Sequence, residues 1–146
     1  MSAVPADVPA AAAGRSDAVV TLRWQEAPGH GRLEMIDQTR LPAVFEYLTY
    51  DSAAGVADGI RTMVVRGAPA IGVAAAYGVA LEALRLRALP PDEFAAALDA
   101  GVQVLAHSRP TAVNLAWALQ RMQQQRAAFR QQQPEANNAA LAQAPV

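Results

Sequence analysis

Between residues 19 and 50 the apolar positions fall in short runs separated by turn formers. Val19 to Gln25 (VVTLRWQ) and Arg32 to Ile36 (RLEMI) are rich in β-formers, and the cluster Ala27-Pro28-Gly29-His30-Gly31 joins them. This predicts a β-hairpin. A third run, Val44 to Tyr50 (VFEYLTY), follows Leu41-Pro42 and predicts a further strand, so that one face of a small sheet can be buried. Trp24, Tyr47, Tyr50 and Trp117 are expected to be packing residues, because no basic groove accompanies them.

Beyond Asp51 the period becomes helical. Asp51 or Ser52 can cap a helix that places Val56, Ile60, Met63 and Val64 on one face and ends near Val65. Pro69, after Arg66-Gly67-Ala68, suits the first position of a second helix running to about Arg87. That helix is nearly all apolar, and its row of small residues, Gly72, Ala76 and Ala80, lets another backbone approach closely. Pro90-Pro91-Asp92 opens a third helix over 92–106, and Ser108-Arg109-Pro110-Thr111 opens a fourth over 110–130. The predicted class is α+β, a small N-terminal antiparallel sheet of about three strands followed by a bundle of about four helices.

Composition changes this picture at the ends. Residues 1–18 and 131–146 are rich in Ala, Pro and Gln with few large apolar side chains, and are expected to be disordered tails around one domain at 19–130. The uncharged run between Arg66 and Glu82 is fifteen residues long, short of the roughly twenty that a bilayer span needs. It is expected to be a buried helix. Residues 1–18 also lack a signal peptide's layout, which makes a cytoplasmic location the default.

Charge and chemistry narrow the functions. The net charge of −1 leaves no electrostatic footprint for nucleic acid or an anionic membrane. All twelve basic residues are arginine, which removes Schiff-base lysines and phosphate-loop lysines. There is no cysteine, and two separated histidines make a poor metal centre. Carboxylates, arginines, hydroxyls and backbone remain. Arg66-Gly67-Ala68-Pro69 and Arg109-Pro110-Thr111 each put an arginine ahead of an expected helix start, where the partial positive charge disfavours a cation and an anion reverses the sign. Two readings of these arginines stand side by side: solvated charges or carboxylate partners, or a grip on phosphate oxygens. Asp37 is expected to stabilise a turn rather than act as a base. His107 is expected to cap a carbonyl, His30 to occupy a turn, and Asn114 to face another helix or brace the Arg109 loop.

The runs IRTMVVRGAPAIGVAAAYGVALEA (60–83), SRPTAVNLAWALQRM (108–122) and IDQTRLP (36–42) resemble the S-methyl-5-thioribose-1-phosphate isomerase family, grouped with the alpha, beta and delta subunits of translation initiation factor eIF-2B and with ribose-1,5-bisphosphate isomerases. The resemblance covers residues 19–130. It implies substrate binding by Arg66, Gly67, Ala68 and Arg109, in an aldose-ketose isomerisation of methionine salvage that needs no metal or cofactor and is usually carried out by homodimers. It also implies a catalytic cysteine and aspartate in a second, Rossmann-like domain. No counterpart of that domain is legible in this sequence, so no catalytic residue is assigned here. Three expectations follow: the substrate-binding part of an isomerase, inactive alone; a regulatory or interaction domain akin to eIF-2B; or a remnant whose exposed apolar surface impairs folding.

Overall fold

Gly29, at φ +76° in a computed structural model that describes residues 19–134 and 138–142, lets the first hairpin turn in two residues. It joins β1 (Leu22–Ala27) to β2 (His30–Ile36), paired antiparallel with Ala27 opposite His30. β3 (Tyr47–Tyr50) pairs antiparallel on the other side of β2, giving the order β1-β2-β3. Two cross-strand rows, Trp24-Leu33-Tyr50 and Leu22-Met35-Leu48, form the inner face. Leu33 and Met35 are fully buried there. Trp24 stacks on Tyr77, and the Tyr47 hydroxyl donates to Val20 O, so these aromatics pack as expected.

Five helices follow among the described residues: α1 (Ala53–Arg61), α2 (Ala68–Leu86), α3 (Pro91–Ser108), α4 (Val113–Gln132) and α5 (Asn138–Ala142). Ser52 caps α1 by accepting from Gly55 N at 3.1 Å. The helix closes earlier than the sequence predicts: Met63 takes φ +67° and donates to Ile60 O, while Val64 N donates to Gly59 O at 2.9 Å. That left-handed closure turns Met63 out to solvent and leaves Val56, Ile60, Val64 and Val65 in the core. α2 passes a length-and-composition test for a membrane span, yet over half of it is buried within the fold. It packs on α1, α3, α4 and β2, which makes it the central helix.

Glu82 of α2 is a buried carboxylate where three helices meet. Its Oε2 accepts from Ala53 N at 3.0 Å, at the start of α1, and Arg85 donates to both of its oxygens, Nη2 to Oε1 and Nε to Oε2. Gly101 of α3 makes room for it, since a Cβ there would stand 2.8 Å from Glu82 Cγ. Burial pushes this carboxyl's pKa up, but the Arg85 and Ala53 hydrogen bonds outweigh burial and hold it below 4.5.

The C-terminal tail expectation needs correction. α4 runs to Gln132, and α5 lies inside the segment expected to be disordered. Composition missed it because docking rests on two residues. Leu141 is buried in the core cluster, and Asn138 donates to Leu89 O at 2.6 Å while accepting from Arg130. Residues 1–18, the other expected tail, lie outside the described residues.

Because the Glu82 carboxyl is held below its unfolded value, it contributes stability above pH 4.5 that is lost as pH falls through the folded value. Replacing Glu82 by Gln is expected to lower unfolding free energy near neutrality by about 1–3 kcal/mol. The gap to wild type should narrow on acidification, as read by urea midpoints over a pH series. A gap that stays constant with pH would contradict the assignment.

Candidate functional site

The segment between α1 and α2 is anchored before it reaches the surface. Val64 and Val65 are buried, and Gln38 N donates to Val64 O at 3.0 Å, tying the Asp37-Gln38 turn to the connecting segment that carries Arg66. Asp37 Oδ1 accepts from Thr39 N at 3.0 Å and Thr39 Oγ1 at 2.6 Å, the turn-stabilising arrangement expected of it. Gly67 then takes φ +91°, a region closed to side-chain-bearing residues at low cost, and becomes the N-cap of α2. Nothing lies within 4 Å of where its Cβ would be, so backbone conformation rather than crowding asks for glycine.

α2 begins at Ala68, one residue earlier than expected, with Pro69 second. No side chain caps this start, and Pro69 offers no N–H, so the remaining amides of the first turn have no side-chain acceptor among the described residues. Arg66, Gly67 and Ala68 are all exposed there.

Arg109 sits differently from expectation. α3 runs to Ser108 and Arg109 is its C-cap, at φ −148° and ψ 85°, because the residue before a proline is driven out of the helical region. Pro110 and Thr111 form a turn closed by Ala112 N donating to Arg109 O at 3.0 Å, and α4 starts only at Val113. The arginine therefore lies at the C-terminal, partially negative end of α3, a favourable place for a cation. Within α3's last turn His107 Nδ1 lies 2.7 Å from Gln103 O and Ser108 Oγ donates to Leu105 O at 2.5 Å, so both serve the helix end. His30 opens β2 directly after the turn.

Gly72 brings the two segments together. A Cβ on it would stand 3.1 Å from Asn114 O, so the second turn of α2 and the first turn of α4 are in backbone contact. Ala68 is four residues from this contact, about one helical turn, and Val113 is adjacent to it. Two helix starts without side-chain caps therefore lie side by side. Arg23, Arg40, Arg61, Arg85 and Arg126 pair with carboxylates, whereas among the described residues the guanidiniums of Arg66 and Arg109 have no hydrogen-bond or ion-pair partner. Arg66 is exposed and Arg109 half-buried.

The same side of α4 carries a second correction. Trp117, expected to pack, is 62% exposed and lies one turn from the 78% exposed Val113, because Leu115, Ala118 and Leu119 take the inward face. The Arg121 guanidinium stands 5.9 Å from the Trp117 ring centre. The contact of Gly72 with Asn114 and the tie between Gln38 and Val64 had no signal in the sequence beyond the small-residue row.

Residues 64–144 match the model of the initiation factor 2 subunit family. This chain belongs to that family. Among its relatives, the methylthioribose-1-phosphate isomerase of Albidiferax ferrireducens is 68% identical over 105 residues, 72% of this chain and 28% of that protein. The protein of the same name from Methylococcus capsulatus is 51% identical over 112 residues, 77% of this chain and 31% of its own length. Two solved structures share the fold. The 5-methylthioribose 1-phosphate isomerase of Pyrococcus horikoshii superposes with a TM-score of 0.71 at 32% identity, over 84% of this chain and 33% of that one. The delta subunit of translation initiation factor eIF-2B from A. fulgidus gives 0.72 at 30% identity, over 86% and 34%. The chain thus spans about 30% of the length of the family members it matches.

Gly72→Val is expected to drive α4's first turn away from α2 and to cost about 1–3 kcal/mol, the usual penalty of overpacking. Chemical denaturation measures the loss, and amide shifts at Asn114 and Val113 should report the displacement. Wild-type stability with unmoved amides would show that the contact is not tight.

Proposed function

We propose that this chain is the phosphate-binding part of an aldose-ketose isomerase that converts S-methyl-5-thio-D-ribose 1-phosphate to S-methyl-5-thio-D-ribulose 1-phosphate. The observation that carries this reading is that Arg66 and Arg109, which have no acceptor among the described residues, precede two uncapped helix starts that are in contact at Gly72 and Asn114. The relatives' printed name supports the substrate. A phosphate placed there accepts hydrogen bonds from the first-turn amides after Gly67 and from two guanidiniums, each a charge-assisted contact. Fixing the C1 phosphate in this way positions C1 and C2, between which the isomerisation must move a hydrogen.

The proton-transfer groups are assigned to the remaining length of the relatives. Asp37 is already committed to Thr39 through Oδ1. This chain alone is therefore expected to bind without turnover. In the whole protein we place the reaction in the cytoplasm and in a homodimer. A second reading, an eIF-2B-like interaction domain, is favoured by the equally close superposition on the delta subunit and by the exposed Val113-Trp117 face.

Calorimetric titration with methylthioribose 1-phosphate distinguishes them. Saturable binding, weakened at least about tenfold by Arg66→Ala and again by Arg109→Ala, is the expected result for charge-assisted contacts. Absence of binding, or affinity untouched in both variants, overturns the assignment and leaves the interaction domain. Measurable isomerase activity of the chain by itself would overturn the claim that it only binds.

A further inference from the structure

Asp37 is a buried carboxylate that takes no part in gripping the phosphate. Its backbone is fixed on both sides: Asp37 N donates to Glu46 O at 3.0 Å, and Asp37 O accepts from Arg40 N at 3.3 Å. Oδ1 holds Thr39 by both its amide and its hydroxyl, which closes the turn over Gln38. The Gln38 amide inside that turn donates to Val64 O at 3.0 Å. Val64 is gripped from the other side as well, because its N donates to Gly59 O at 2.9 Å at the end of α1. Both backbone groups of Val64 are therefore engaged, two residues ahead of Arg66.

Between Val64 and α2 the chain has little else to define it. Val65 is buried, but Arg66 and Gly67 are exposed, and nothing lies within 4 Å of where a Gly67 Cβ would be. A glycine in open space has wide backbone freedom, yet this one must hold φ +91° for its carbonyl to accept the first bond of α2, from Ile71 N at 2.9 Å. The anchor at Val64 supplies that restraint from the N-terminal side. We propose that Asp37 is a positioning residue of the candidate phosphate site, acting through Gln38 and Val64 to set where Arg66 and the Gly67 cap are presented. The proposal rests on the phosphate-binding reading and adds to it a residue that touches no ligand. The turn needs an acceptor oxygen at this place and not a charge, so asparagine should serve and alanine should not.

Two measurements on the full chain test this. Without ligand, Asp37→Ala is expected to speed hydrogen exchange at the Gln38 amide and to shift the Gly67 and Ala68 amide resonances, while Asp37→Asn leaves them near wild type. In titrations with methylthioribose 1-phosphate, run well below the unfolding midpoint, Asp37→Ala should weaken binding about three- to tenfold, the worth of one hydrogen bond. Asp37→Asn should stay within about twofold of wild type, the conservative change rescuing the loss. Leu141→Ala, a core truncation beside the second half of α2, should lower stability and leave affinity unchanged, which separates positioning from general destabilisation. If Asp37→Ala fails to fold, Thr39→Val decides in its place, since that position is exposed and only the hydroxyl contact is lost. Unmoved Gly67 resonances, unchanged affinity, equal effects of alanine and asparagine, or an equal loss in Leu141→Ala each overturn the positioning role. Absence of binding by the wild type overturns the phosphate reading and this role with it, so the two failures are told apart.

Discussion

The buried carboxylate of Glu82 is the constraint on which the helical part of the fold turns. It accepts from the first amide of α1, leans on Arg85 within α2, and occupies the space that Gly101 leaves on α3. Three helices are thereby fixed relative to one another by a group that would be costly to bury unpaired. Once α1 is set, its left-handed closure at Met63 directs Val64 and Val65 into the core and Arg66 out of it. The exposed arginine is thus placed by interactions more than a dozen residues further along the chain.

A related division runs along α2. Its second half belongs to the core, with Leu81, Glu82, Ala83 and Leu86 buried, while its first turn is open and uncapped. Helix starts without side-chain caps leave backbone donors unmatched, and side chains usually fill that role. Here the opening coincides with the contact between Gly72 and Asn114, which brings a second uncapped start alongside. The small residue at 72 is what allows both to share one face. Structure and family membership agree on the scaffold, and the similarity to an isomerase and to an initiation-factor subunit at nearly the same TM-score shows one scaffold hosting differently named proteins.

Much of this architecture was legible in the sequence. The hairpin, the third strand and the long apolar helix follow from periodicity and turn chemistry, and each is local. The errors share a cause. Pro110 reads as a helix opener, yet its effect on Arg109 ends α3 and delays α4 to Val113. Met63 continues a helical stripe on paper, but the chain closes by adopting a positive φ that a non-glycine residue rarely takes. Trp117 has the composition of a core residue and the position of a surface one. Averaged composition hid α5, whose docking depends on Leu141 and on one asparagine reaching Leu89. Of the candidate site, the residue types at 66–68 and 109 were readable; the contact of Gly72 with Asn114 was not, because it joins residues 42 positions apart, from 72 to 114.

The placement of Arg109 at the end of α3, where Arg66 instead precedes the start of α2, gives the two arginines opposite relations to the helix fields around them. Dissolved salt weakens both relations together, relieving one and eroding the other. Because the two contributions have opposite signs, the response of the fold to ionic strength at these helix ends is smaller than either arginine alone would give.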